Sequence, residues 1–312
     1  MNLKEKLALF FRNNFLIQLL KRTKFIGLDQ ISLFDVLRFY VIGISNGNSS
    51  NRSSGISYNL FMSVFPLLIL IFTLLPYLPH YEVLEGYIFD VSLKAIFPDE
   101  KLHKSVTQFI HENMINKSQI EMLSSSMILT LFFSTNGVKS LMAGFKNSYH
   151  FNESFSFFKQ YFIAFLLTIG FILSLFVCLF LLYYSEFVWG FVYKLSPTKE
   201  LSGFFISFFT FLFSFFILCL MYTVLYYLGS NFKIPFRWSI PGAFLSCILF
   251  FITLFLFGFY IKSFTSNNLF YGSIGTVILV MIWININVMI TLIGYEFNLA
   301  ISVAKNSRGK LE

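Results

Sequence analysis

Charge is what this chain of 312 residues has least of: Asp, Glu, Lys and Arg make up 12%, against about 25% in soluble domains. So little charge excludes a surface made to face water on all sides. Missing too are CxxC, HExxH, a Walker A loop and GxGxxG, the short patterns that mark redox, metalloprotease and nucleotide chemistry. The three cysteines, Cys178, Cys219 and Cys247, each lie inside an apolar run with no neighbouring His, and read as inert packed thiols. His103 and His111 stand near Glu100 and Glu112, at a spacing too loose for a metal site. With no nucleophile beside a base, no enzyme activity, metal or cofactor is expected. Period-two alternation is also absent, which excludes a membrane barrel and leaves helices as the structure that satisfies its own amides in lipid.

Oily residues are abundant: 56% are hydrophobic and the mean hydropathy is +0.72. Aromatics reach 21%, 45 of them Phe; Phe faces lipid as readily as Leu, so no aromatic ligand box is read from them. Five stretches free of charge run to 29, 26, 32, 24 and 33 residues, between Arg52 and Glu82, Lys159 and Glu186, Glu200 and Lys233, Arg237 and Lys262, and Lys262 and Glu296. Each is long enough to cross once, since roughly 20 residues suffice. A sixth, from Met122 to Phe145, carries Lys139 and a polar patch; it is read as a span because a long side chain near a span's end can reach the interface. The expected fold is all-α: a bundle of six spans at about 56–79, 122–145, 160–185, 203–229, 239–261 and 272–298.

The net charge of +8 is dispersed over short loops, which reports orientation and not a nucleic-acid partner. Fifteen basic residues fall on the side of the termini and seven on the other, so both termini are expected in the cytoplasm. Lys4, Glu5, Lys6 and Arg12 interrupt the N-terminus, so the first span is expected to be retained as an anchor and not cleaved as a signal peptide. Residues 1–52 form an N-terminal segment with an interfacial helix at about 31–44. The polar tract at 47–55 is its hinge into span one. Residues 81–121, where Leu102, Val106, Phe109 and Ile110 recur at helical spacing, form a small outer cap. The membrane domain covers 53–304 and a cytoplasmic tail 305–312.

Polar groups within spans are costly and mark function first. Tyr58 and Asn59 open span one, Asn136 and Lys139 lie late in span two, and Glu296 and Asn298 close span six. All six share the cytoplasmic half, as a candidate polar cavity in which Glu296 is the best acidic partner for Lys139. The plainer reading has Lys139 reaching headgroups and Glu296 facing water. Asn285 and Asn287 point to different faces of span six, so at least one should bond another helix. Gly272, Gly275, Gly294 and Gly242 are read as packing positions, and Pro66 and Pro241 as kink or helix-start residues.

Three segments carry a family resemblance: SYNLFMSVFPLLILIFTLL (Ser57–Leu75), STNGVKSLMAGFKNSY (Ser134–Tyr149), and RWSIPGAFLS (Arg237–Ser246) followed by YGSIGTVILVMIWININVMITLIGYEFN, which ends in GxExN. In order and spacing the chain resembles the YihY/BrkB family of bacterial inner-membrane proteins, once labelled ribonuclease BN. It departs at Tyr295, where the family usually has Ala, and at Asn136, where Ser or Arg is common. The resemblance implies a role in moving lipids or lipid-linked material. A transporter or flippase of an amphipathic anion is therefore expected, with Lys139 at the headgroup. The alternative is a scaffold or assembly factor for envelope biogenesis without transport. The expected partners are membrane lipids, with envelope proteins or further copies of the chain, and no nucleic acid.

Overall fold

The computed structural model describes residues 33–46, 49–74, 86, 89, 100–112, 120–146, 156–195, 199–230, 235–265 and 272–308. Among these residues there are eight principal helices and no strand. They are α1 (Leu33–Asn46), α2 (Ser49–Leu74), α3 (Glu100–Ile110), α4 (Ile120–Lys146), α5 (Phe157–Leu195), α6 (Lys199–Gly229), α7 (Phe236–Thr265) and α8 (Gly272–Arg308). Five of them, α2 and α5 to α8, are long and apolar enough to cross a membrane. The chain is thus a polytopic all-α membrane protein.

Neighbour follows neighbour around a closed ring: α2 packs on α4, α4 on α5, α5 on α6, α6 on α7, α7 on α8, and α8 back on α2. Outward-facing Phe side chains dominate the outer wall, with Phe158, Phe255 and Phe259 more than half exposed. Such an oily exterior suits a bundle solvated by lipid, where water gives no reason to hide it. The inner wall is a cluster of small and aromatic residues, among them Ala164, Ala243, Cys247, Leu225, Tyr226 and Leu299.

Helix ends differ from the expected ones at two places that matter. The tract read as a hinge is helical from Ser49, so Arg52 belongs to the first turn of α2 and not to the segment before it. Ser53 is fully buried there and Ser57 nearly so; these serines pack inside the bundle, which offsets their weak intrinsic preference for helix. At the other end α8 runs on to Arg308, through the boundary expected at 305. The reason is α1, whose Val36 packs against Ala300, Ile301 and Ala304 and whose Tyr40 meets Phe297 edge to face at 5.3 Å. Of the expected interfacial helix at about 31–44, residues 33–44 belong to α1, which docks on the end of α8, and residues 31 and 32 lie outside the described residues.

Of the expected cap at 81–121 the structure describes chiefly α3, with Ile110 buried, Val106 half-buried and Phe109 exposed. It is tied to the end of α2 through Phe89, whose ring lies 6.0 Å from Phe72 and stacks on His111 at 4.8 Å. His103 Nε2 bonds Phe89 O at 2.9 Å. Residues 75–79 of the first expected span, and the C-terminal residues 309–312, lie outside the described residues.

Candidate functional site

Close helix approach comes first, because it decides which polar groups can meet. At the α7–α8 crossing a Cβ on Gly242 would collide with the carbonyl oxygen of Gly294 and reach Asn298 Oδ1 at 2.5 Å. One on Gly294 would run into Ser246 Oγ and stand 2.7 Å from Gly242 O. Two backbones this near need glycine on both sides. Asn298 uses that proximity: its Oδ1 accepts from Gly242 N at 2.7 Å and its Nδ2 donates to Ser239 O at 3.0 Å. Pro241 lies inside α7 beside this bracket, and Pro66 is buried inside α2. Gly275 is half-buried, whereas the surroundings of Gly272 lie outside the described residues.

A second pair of glycines, Gly137 and Gly144, lets α4 meet α2. A Cβ on Gly137 would stand 2.7 Å from Leu60 Cδ2, and one on Gly144 2.6 Å from Ile56 Cδ1. Sequence reasoning passed over them, although their separation of seven residues was the signal. Asn59 Nδ2 donates to Ser140 Oγ at 2.7 Å across the same seam. Asn285 reaches from α8 to Ser57 Oγ on α2 at 3.2 Å, while Asn287 turns back on its own helix to Trp283 O.

Glu296 lies where α2, α4 and α8 converge, fully enclosed. Its partner is Arg52: Nη2 stands 3.0 Å from Glu296 Oε1, and Nη1 donates to Gly144 O at 2.8 Å, near the C-terminal end of α4. A cation there also meets the negative end of the helix dipole. Glu296 thus neither pairs with Lys139, as one reading had it, nor faces water, as the plainer one did. Lys139 points the other way around α4, donating to Tyr161 OH at 2.6 Å and lying 4.0 Å from that ring's centroid. Arg52 escaped detection because serine, asparagine and glycine around it read as a loop. Tyr40 lies near this pair; burial first, then the negative charge of Glu296, pushes its hydroxyl up to about 12, which leaves it neutral at any ordinary pH.

The six residues expected to share a polar cavity are thus parted. Glu296 and Asn298 are consumed in buried brackets; Asn59, Asn136 and Lys139 sit along the α2–α4–α5 seams. Tyr58 is 53% exposed. None of them lines the cavity of about 300 Å³ inside the ring. Its wall draws on α2 (Leu60, Leu67), α4 (Val138, Leu141), α5 (Phe171, Leu175), α6 (Leu218, Met221) and α8 (Thr291), with the hydroxyls of Ser63, Ser134 and Thr168 as sparse polar points. The Thr168 hydroxyl is already bonded to Ala164 O, so the wall is close to that of an alkane pocket. Aromatic packing closes the side toward Glu296. Tyr222 and Tyr226 stack at 6.0 Å, Phe145 and Tyr295 at 4.2 Å, and the hydroxyls of Tyr226 and Tyr295 bond Ser246 and Ser230.

Comparison with known proteins agrees with this architecture. A family model described as "Virulence factor BrkB" matches residues 43–312. The "Putative ribonuclease-like protein YfkH" of Bacillus subtilis is 27% identical over 256 residues, covering 80% of this chain and 88% of its own length. A "UPF0761 membrane protein" of Haemophilus influenzae strain 86-028NP is 24% identical over 252 residues, with the same two coverages. One from Pseudoalteromonas translucida is 33% identical, over 81 residues that cover 26% of this chain and 27% of its own. No solved structure matches. With the match running from α1 to the chain's last residue, this chain belongs to the BrkB family of membrane proteins.

Proposed function

We propose that the protein binds the hydrocarbon part of a membrane amphipath inside its helical ring and moves it between leaflets, as a transporter or flippase. The observation that carries this reading is the cavity. A space of about 300 Å³ is at the small end of ligand sites, and an almost wholly apolar wall selects a chain and not a polar solute. It lies amid helices long enough to span the bilayer, so lipid tails are the ligand at hand. In this reading α4, flanked by α2 and α5, is the sixth span. The excess of Lys and Arg on the side of the termini supports a cytoplasmic location for both in this reading.

Reconstitution into vesicles carrying a fluorescent lipid tests the proposal: addition of a membrane-impermeant quencher reports the rate of exchange between leaflets. Exchange should be faster with the protein than without it, and Met221→Trp, which fills the cavity, should return it to the protein-free rate. Equal rates for wild type and Met221→Trp would count against the cavity as the route.

A static scaffold is the second reading, favoured by the bonded seams that tie α8 to α2 and α7. It predicts no lipid exchange and full cellular function for Met221→Trp.

A further inference from the structure

We infer that the cytoplasmic end of the α4–α5 seam is a binding site for the phosphodiester headgroup of an anionic lipid, with Lys139 as its cation. This deepens the proposed function, since it takes the tail of the same lipid to occupy the cavity. Among the described residues three cations of the bundle are half-buried, Arg52, Lys139 and Lys305, the last lying over the Trp238 ring at 4.5 Å. Arg52 has its carboxylate, whereas Lys139, half-buried, forms no ion pair with a carboxylate among the described residues. What surrounds Lys139 Nζ is aromatic and neutral: Tyr161 OH at 2.6 Å, the Tyr161 ring at 4.0 Å and the Phe157 ring at 5.9 Å. One of its three N–H groups is used on Tyr161, and two remain for an anion.

The position along the helices supports the same assignment. Lys146 and Lys159 are exposed at this end of α4 and α5, so the approach is positive. On α5 Tyr161 stands two turns nearer the cytoplasmic end than Thr168, the first residue of that helix to line the cavity, and on α4 Lys139 lies level with the near end of the cavity, between the wall residues Val138 and Leu141. A headgroup at the mouth of the cavity with the chain running inward along α5 is the order in which a lipid of the inner leaflet presents itself. A site of this kind prefers a net negative headgroup by about fivefold over a zwitterionic one, the effect of a single lysine at a membrane surface.

The test uses the full chain in phosphatidylcholine vesicles doped with a trace of either phosphatidylglycerol or phosphatidylcholine, both bearing the same photoactivatable acyl chain. Adducts on residues of the cavity wall are quantified by mass spectrometry. Phosphatidylglycerol should label about fivefold more than phosphatidylcholine; Lys139→Gln should remove the difference, and Lys139→Arg should keep most of it. Should Lys139→Gln not fold, the wild-type preference together with a reduced preference in Tyr161→Phe decides. Equal labelling by the two lipids, or a preference untouched by Lys139→Gln, would overturn the headgroup site while leaving a cavity that takes tails. Loss of labelling on adding inorganic phosphate would overturn a lipid source in favour of a free anion. Absence of adducts on the cavity wall with either lipid would instead count against the proposed function itself.

Discussion

Arg52 and Glu296 illustrate how much a single pair decides. An enclosed carboxylate is tolerated in a membrane bundle only with a cation and hydrogen bonds around it, and here the guanidinium serves both Glu296 and the Gly144 carbonyl. Removing one partner should cost about 3–5 kcal/mol, whereas removing both in favour of well-packed apolar residues costs much less. Arg52→Met should therefore lower the thermal unfolding midpoint in detergent markedly, and Arg52→Met with Glu296→Met should recover most of the loss. The neutral bonds are weaker, at about 0.6 kcal/mol each in a bilayer, so Asn285→Leu should shift the same midpoint only slightly. That Glu296 needed a partner is plain from an acidic residue closing a long oily run. Which partner it takes depends on helix rotation and on where α2 begins, and neither is written in local composition.

Among the elements, α7 and α8 depend on the absence of side chains at one crossing. Gly242→Ala and Gly294→Ala each place a methyl against backbone or a bonded hydroxyl, and overpacking of this kind costs about 1–3 kcal/mol. Gly258, with nothing within 4 Å of a built Cβ, is the internal control. Gly258→Ala should leave the unfolding midpoint unchanged or raise it, by at most about 1 kcal/mol of helix preference. The positions of the long helices are legible in the sequence because charges punctuate oily runs, but their lengths are not: α5 runs from Phe157 to Leu195, past the charge of Glu186 that ended the expected span. Two features resist such reading. The start of α2 is polar enough to pass for a loop, and it becomes helical because Ser53 and Ser57 are buried between helices. The run of α8 to Arg308 follows from the docking of α1, a contact between segments more than 250 residues apart in sequence.

For the whole molecule, the closed ring explains why polar groups that share a depth do not share a site. Six helices in a circle have an inside, an outside and six seams; depth along the membrane is readable from sequence, but angular position around each helix is not. Hence Glu296 points into the α2–α8 seam and Lys139 into the α4–α5 seam, while the cavity between them is lined by neither. Filling the cavity, as in Met221→Trp, should block lipid exchange without touching either seam. All of this depends on α4 crossing beside α2 and α5, which puts α3 on one side of the membrane and the start of α7 on the other. Substituted-cysteine labelling at the exposed Lys104 and Arg237 in intact spheroplasts tests that threading directly. Lys104→Cys should react with an impermeant maleimide from outside, and Arg237→Cys only after the membrane is opened; equal reaction of the two without permeabilisation would contradict it.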